Sequence, residues 1–280
     1  MVNQPVLRGI PLILLWLLVA GAPVRADDWP QWRGPMRDGV WREDGVLEQF
    51  PPEGPPVRWR TPVGPGFSGP AVAGGQVFLM DRVVDESASA DVKTQWNHRD
   101  KTQGQERVLC LDEVTGEVLW THAYPCAYET AYGSGPRATP TVCGQRVYTV
   151  GAMGDLVCLD SATGRVVWQQ NFVRDYGAEV PLYGFASPPL VDGDRLIVMV
   201  GGEGQVVMAL DRHTGREVWK TGTASEPGYC APLIRTLAGV RQLVIWHGDG
   251  LMGLEPESGQ ELWSVRHPTT VGMAISTPAI

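Results

Sequence analysis

The residues of this chain whose types and placing could do chemistry are arginine, aromatic and histidine side chains. Arg137, Tyr132, Tyr183, Phe185 and Tyr229 each stand at or near the end of a polar connection, shortly before an apolar run. Trp96 and His98 lie in the polar stretch from Asp81 to Arg107. A guanidinium among phenols suits an anionic or sugar-like ligand, or a protein segment. The same aromatics could instead pack their loops onto the body of the fold. Other chemistries lack their signatures. There is no Cys-x-x-Cys, no His-x-x-x-His and no Gly-x-Ser-x-Gly. The histidines are scattered, and His213 reads as a solvated turn residue. None of Asn3, Asn97 and Asn171 belongs to the acidic cluster that a hard cation requires. No catalytic residue and no metal ligand is therefore assigned.

The elements that position these residues come from a repeat. Val157 to Trp168 reads apolar strand, Leu-Asp, two residues, Thr-Gly, then a second strand closing on Trp. Its counterparts run from Leu109 to Trp120, from Val207 to Trp219 and from Leu251 to Trp263, the last with Glu255 and Ser258 in place of Asp and Thr. The tryptophans recur at spacings of 48, 51 and 44 residues, a period of stacked supersecondary units. Asp112, Asp160 and Asp211 are placed to accept from turn amides. Gly116, Gly164, Gly215 and Gly259 supply the positive φ of a tight hairpin. Trp120, Trp168, Trp219 and Trp263 suit packing on the next unit. Before each copy comes another hairpin, as in Ala138-Thr139-Pro140-Thr141-Val142 through Cys143-Gly144-Gln145 to Arg146–Val150. Each unit thus has four short antiparallel strands, A to D, with no helical pattern. The fold class is all-β, a propeller of four-stranded blades with a sandwich as runner-up. About four blades and the start of a fifth are expected. With A innermost, the B–C and D–A connections share one face, and the arginine and aromatic residues fall on it.

Residues 1–26 read as a secretory signal: an apolar run from Ile10 to Ala22, then Val24-Arg25-Ala26 as cleavage site. This implies a periplasmic or secreted protein without a transmembrane span after cleavage. Residues 27–56 form a leader rich in Trp and Pro, expected to lie extended over the surface, and the propeller occupies 57–280. Val57-Arg58-Trp59-Arg60 looks like the last strand of a blade whose first three strands are not upstream. The net charge of −8 argues against nucleic acid as partner. Of the five cysteines, Cys110 and Cys158 read as small buried residues, and pairing of the rest is open.

The Asp-x-x-Thr-Gly-x-x-x-Trp segment resembles the tryptophan-docking motif of the pyrroloquinoline-quinone-binding-like (quinoprotein) propellers. Ala138-Thr139-Pro140, Ala186-Ser187-Pro188 and the leader Trp29-Pro30-Gln31-Trp32-Arg33-Gly34-Pro35 are similar to segments of exported members. The resemblance implies a ring that is typically eight-bladed. It also implies one of two functions. Some members are dehydrogenases that hold the quinone with Ca²⁺; others bind proteins, as in outer-membrane β-barrel assembly. The enzymes commonly carry adjacent cysteines beside the quinone, and none are adjacent here. The expectation is a non-catalytic binding or scaffold module without a cofactor, its partner a protein or a small polar ligand. The alternative is a quinone-dependent alcohol or sugar dehydrogenase whose catalytic residues lie beyond Ile280.

Overall fold

The computed structural model describes residues 27–44, 48–84, 102–131 and 135–278. The apolar run read as a signal lies outside them. Among the described residues no helix is long and apolar enough to cross a membrane.

Among the described residues sixteen strands form four antiparallel sheets, each of four strands in chain order. Sheet I holds β1 (Ala71–Ala73), β2 (Gln76–Val84), β3 (Gly104–Asp112) and β4 (Val118–Pro125). Sheet II holds β5 (Thr141–Cys143), β6 (Arg146–Val150), β7 (Asp155–Asp160) and β8 (Val166–Asn171). Sheet III holds β9 (Leu190–Asp192), β10 (Arg195–Met199), β11 (Val207–Asp211) and β12 (Glu217–Thr221). Sheet IV holds β13 (Leu233–Leu237), β14 (Val240–His247), β15 (Gly250–Leu254) and β16 (Glu261–Arg266). These sheets match the four-stranded blades expected from the repeat.

The period of two in a strand decides how the sheets stack. On β7, Val157 and Leu159 join Phe78, Met80, Val108 and Cys110 of sheet I in one core cluster. Leu156 and Cys158 join Leu196, Val198, Met208 and Leu210 of sheet III in another. A middle sheet is therefore apolar on both faces, and each fully buried Leu or Val stabilises by roughly 1.5–3 kcal/mol.

The repeated turn is the second joint. Asp160 Oδ1 accepts from Thr163 N at 3.0 Å and from Thr163 Oγ1 at 2.8 Å. Asp112 and Asp211 do the same for their own turn amides. Trp120 Nε1 donates to Ser161 O of sheet II at 2.9 Å, Trp168 Nε1 to Arg212 O of sheet III at 3.0 Å, and Trp219 Nε1 to Pro256 O of sheet IV at 3.2 Å. Each indole lies on the turn glycine of the next sheet. A Cβ on Gly164 would stand 2.5 Å from Trp120, and φ there is +69°. All four C–D pairings carry a bulge at the residue pair before the turn.

Two departures from the expectation concern local segments. A short helix, α1 (Phe172–Tyr176), follows β8, where no helix was expected. Asn171 caps it by accepting from Val173 N and Arg174 N, and Gly177 at φ 68° ends it. The leader is not merely laid on the surface by its tryptophans. Trp29 pairs with Val72 of β1 through bonds of 2.8 and 2.9 Å, and Val142 N of β5 donates to Pro30 O at 2.8 Å. Arg37 is 3% exposed and reaches the carbonyls of Pro188 and Pro189, just before β9 of sheet III. Val72 is the middle residue of β1, and its partner in β2 is Val77. Its own N–H and C=O are taken up by Trp29, so the leader lies along the free edge of the innermost strand.

Candidate functional site

The row of side chains that sheet I turns toward sheet II is apolar along most of its length: Phe78 and Met80 on β2, Cys110 and Val108 on β3. Two residues further toward the B–C connection the same row becomes ionic. Arg82, Glu106 and Tyr124 are cross-strand neighbours in register. Arg82 and Glu106 are both fully buried. A buried carboxylate persists only if its oxygens are satisfied. Tyr124 Oη donates to Glu106 Oε2 at 2.6 Å, and Tyr128 Oη and Ala152 N (2.9 Å) donate to Oε1. The Arg82 guanidinium lies 3.8 Å over the Tyr128 ring, donating to Thr102 Oγ1 at 3.0 Å and Thr102 O at 2.7 Å.

Cys126 and Asp155 complete a cluster with Glu106. Their ligand atoms lie within 4.8 Å of one another, close enough to share one metal ion or to line a cofactor site. Asp155 Oδ1 accepts from Asn171 Nδ2 at 3.0 Å. Burial raises the Glu106 carboxyl, opposed by the tyrosine and amide bonds; burial likewise raises Asp155. The Cys126 thiol is pushed up by burial and by the two nearby carboxylates. The Tyr124 and Tyr128 phenols are also pushed up, by burial first and then by Glu106.

Beside this cluster lies part of the face expected from the sequence. Arg137 is half-buried: Nη1 donates to Gly135 O at 2.8 Å and Nη2 to Ala131 O at 3.1 Å. Its guanidinium is 5.3 Å from the centre of the Phe67 ring. Burial lowers it, while Tyr128, Glu106 and Tyr229 act in the opposite sense, so these groups share one neighbourhood. Tyr183 and Tyr229 face each other with ring centroids 5.8 Å apart, and Tyr183 N donates to Tyr229 Oη at 3.4 Å. Both are half-buried, and burial holds the Tyr229 phenol up to about 12.

The structure thus brings together Arg137, Tyr183 and Tyr229. Phe185 is not on that surface. It is 3% exposed and packs edge-on against Phe172 of α1 with centroids 5.1 Å apart. A residue just before an A strand can turn into the sheet-to-sheet core, and an aromatic without a polar atom gains most by doing so. Tyr132, Trp96 and His98 lie outside the described residues. All five cysteines are free thiols. The Glu106, Cys126 and Asp155 cluster was not found from sequence. Its available signal was the alternating row Phe78-Met80-Arg82, in which an arginine falls where a core residue is due.

Comparison with known proteins gives three results. No curated protein matches this chain. The quinohemoprotein alcohol dehydrogenase of Comamonas testosteroni has a similar fold, with 17% identity and a TM-score of 0.57 over 85% of this chain and 41% of that one. BamB of Moraxella catarrhalis aligns at 18% identity and a TM-score of 0.43, over 74% of this chain and 64% of its own. The chain therefore spans about two fifths of the length of the dehydrogenase it matches. A family model described as "Outer membrane protein assembly factor BamB" matches residues 104–277, more than half of the chain. With its four Asp-turn-Trp sheets, the chain belongs to this family of quinoprotein-type propeller repeats.

Proposed function

We propose that this protein is an exported binding propeller that takes a protein segment or a small polar ligand on its loop face, at Arg137, Tyr183 and Tyr229. The observation that carries the reading is the pair of half-buried phenols 5.8 Å apart beside a guanidinium. Such amphipathic groups give large contact area at low entropic cost and are frequent binding hot spots. The family model is described by a protein of outer-membrane assembly, which is consistent with this reading.

A second reading is a quinone-dependent dehydrogenase, favoured by the carboxylate, thiol and carboxylate cluster of Glu106, Cys126 and Asp155 on the same face. The residues at this cluster do not by themselves fit a quinone with Ca²⁺. Three donors already occupy the Glu106 oxygens. A single added carbon on Gly151 would stand 2.1 Å from Oε2, so no room remains there. Asp155 and a thiol are a poor set for a hard cation that takes six to eight oxygens. On this second reading the groups that hold quinone and metal lie outside this chain.

The two are separated by titrating the protein, extended to its natural C-terminus, with pyrroloquinoline quinone and Ca²⁺ while following the melting temperature. A ligand that binds only the native state raises it by mass action. A rise abolished by chelator replaces the binding reading with the dehydrogenase one. For the binding reading, a photo-crosslinking residue at Tyr229 is expected to trap a partner that the same residue at Val218, on the exposed β12, does not. Equal trapping at both positions would remove the loop face as the site.

A further inference from the structure

A cavity of about 650 Å³ lies between the leader and sheet I, within the usual size of small-molecule sites. Val72 and Val77, partners across β1 and β2, line it from the sheet. Four tryptophans line it as well: Trp29, Trp32 and Trp41 of the leader, and Trp59. Three of these indoles are held in place. The Trp29 ring lies on Gly34, where a Cβ would stand 2.9 Å away, and its centroid is 5.9 Å from that of Trp41, with 32° between the planes. The Trp59 ring lies on Gly116, and its Nε1 donates to Glu113 O at 3.0 Å.

Tryptophans that served only to pack the leader on the sheet would fill the space between them. Here the space stays open, and Trp32 and Trp41 are 41% and 59% exposed. An indole face carries negative electrostatic potential, so such walls attract a cation with an apolar surface. The charges along the cavity have the same bias. Asp27, Glu43 and Glu113 border it, and Arg33 is the one cationic side chain among its described lining residues. Arg33 Nη2 is turned to Asp38 O at 2.7 Å. Glu43 Oε1 accepts from Asp27 N at 2.7 Å, which ties the start of the leader to the segment after Trp41. If the chain is cut before Asp27, as its sequence reads, that nitrogen becomes an ammonium and the border still carries more acids than bases. An anion is repelled by such a border. A bare ammonium loses a strong hydration shell to indole faces, which do not replace its hydrogen bonds; an alkylated ammonium loses far less.

We infer that this cavity is a binding site for an organic cation of the alkylated ammonium class, its alkyl groups against the indoles of Trp32, Trp41 and Trp59 and its charge balanced by Glu43 and Glu113. Tryptophan is the best aromatic partner for such a cation, and a cage of several rings is the usual form of the site. The cavity is separate from Arg137, Tyr183 and Tyr229, and the inference does not rest on the loop-face reading.

The experiment titrates the purified protein, extended to its natural C-terminus, with choline at constant ionic strength, following tryptophan fluorescence and the melting temperature. Two neutral compounds are titrated in parallel: the isostere of choline in which a tert-butyl group replaces the trimethylammonium, and the disaccharide cellobiose. Choline is expected to give a saturable fluorescence change and a raised melting temperature, and the neutral compounds at the same concentrations neither. Trp32→Leu and Glu113→Gln are expected to weaken choline about threefold each, the size of an exposed cation–π or charge contact. Trp32→Phe keeps an aromatic face and is expected to bind more tightly than Trp32→Leu. Glu113→Gln keeps the carbonyl that Trp59 uses, so its effect reads the charge. A folded protein with no saturable response to choline overturns the inference. An equal response to the isostere would make this an apolar pocket, and a response to cellobiose alone a carbohydrate site; either result overturns it too. So does a choline affinity unchanged in both Trp32→Leu and Glu113→Gln.

Discussion

At the scale of residues, the buried acids of the loop face set a pH dependence of definite sign. Glu106 and Asp155 have carboxyls raised from their ordinary values of 4.5 and 3.8, each chiefly by burial. Between the unfolded and the raised folded value the native state holds more protons, so stability falls as pH rises through that window. The turn acids Asp112, Asp160 and Asp211 are lowered by hydrogen bonds within their turns, so their contribution is present above about pH 4 and is lost as pH falls below it. Asp155→Asn keeps an oxygen for the Asn171 amide and removes a charge. Urea unfolding at pH 5 and pH 8 is expected to show a smaller difference in the variant, with a gain in stability at pH 8. A loss at pH 8 would mean that the carboxylate charge is needed there, as a metal ligand would be. Arg137, Tyr183 and Tyr229 could be singled out as candidates in the sequence because polar connections ending in aromatic and cationic side chains are visible in one dimension. Glu106 was not visible: its partners are Tyr124 on β4 and Tyr128 and Ala152 in two separate connections, and only folding makes them neighbours. Phe185 was misplaced because position before a strand does not tell which way a side chain turns.

At the scale of elements, the Asp-turn-Trp segment was legible because its function is local. The carboxylate and the amides it receives are two or three residues apart, and the glycine is required by its own φ. What the sequence did not carry is why that glycine has no side chain in a second sense: an indole from the preceding sheet lies on it. Gly164→Ala is expected to cost about 1–2 kcal/mol from the left-handed backbone alone. The Cβ would also stand 2.5 Å from Trp120, which adds to that cost. Gly193, in the A–B turn of sheet III at φ 57°, meets nothing within 4 Å, so Gly193→Ala is expected to carry only the backbone cost. Comparing the two by denaturant midpoint isolates the indole contact; equal losses would mean that Trp120 moves away freely. The helix α1 escaped notice for a related reason. Its Asn171 cap and Gly177 stop were present, but five residues are too few to impose a 3.6-residue period against the strand pattern around them.

At the scale of the whole molecule, the order of the docking tryptophans says how the sheets follow one another. Trp120, Trp168 and Trp219 each dock on the turn of the next sheet. Trp59, ahead of sheet I, does the same: Nε1 donates to Glu113 O at 3.0 Å, the ring lies on Gly116, and Thr61 Oγ1 donates to Gly116 O at 2.6 Å. Residues 57–60 therefore occupy the place of an outer strand of a preceding blade, although they pair with no strand themselves. Trp263 differs. Its Nε1 donates to Gln242 Oε1 of its own sheet at 2.5 Å, and its indole lies over Gly253. A second copy offering Trp263 to the turn of sheet I would find Trp59 already seated there, so two copies cannot join sheet IV to sheet I through this socket while Trp59 holds it. Trp59→Ala leaves the apolar patch of Val77, Leu109 and Leu111 uncovered and the Glu113 carbonyl without its donor. The expected loss is about 3 kcal/mol, at the lower end for a docked tryptophan because the ring is only partly buried. Trp263→Ala removes a contact within one sheet and is expected to cost less. The socket makes a second demand on the first variant: once it is empty, Trp263 of another copy can enter it. Sedimentation of Trp59→Ala is expected to show concentration-dependent association that the double variant Trp59→Ala/Trp263→Ala lacks. Association that survives in the double variant would place the contact between copies elsewhere and remove the emptied Trp59 socket as its seat.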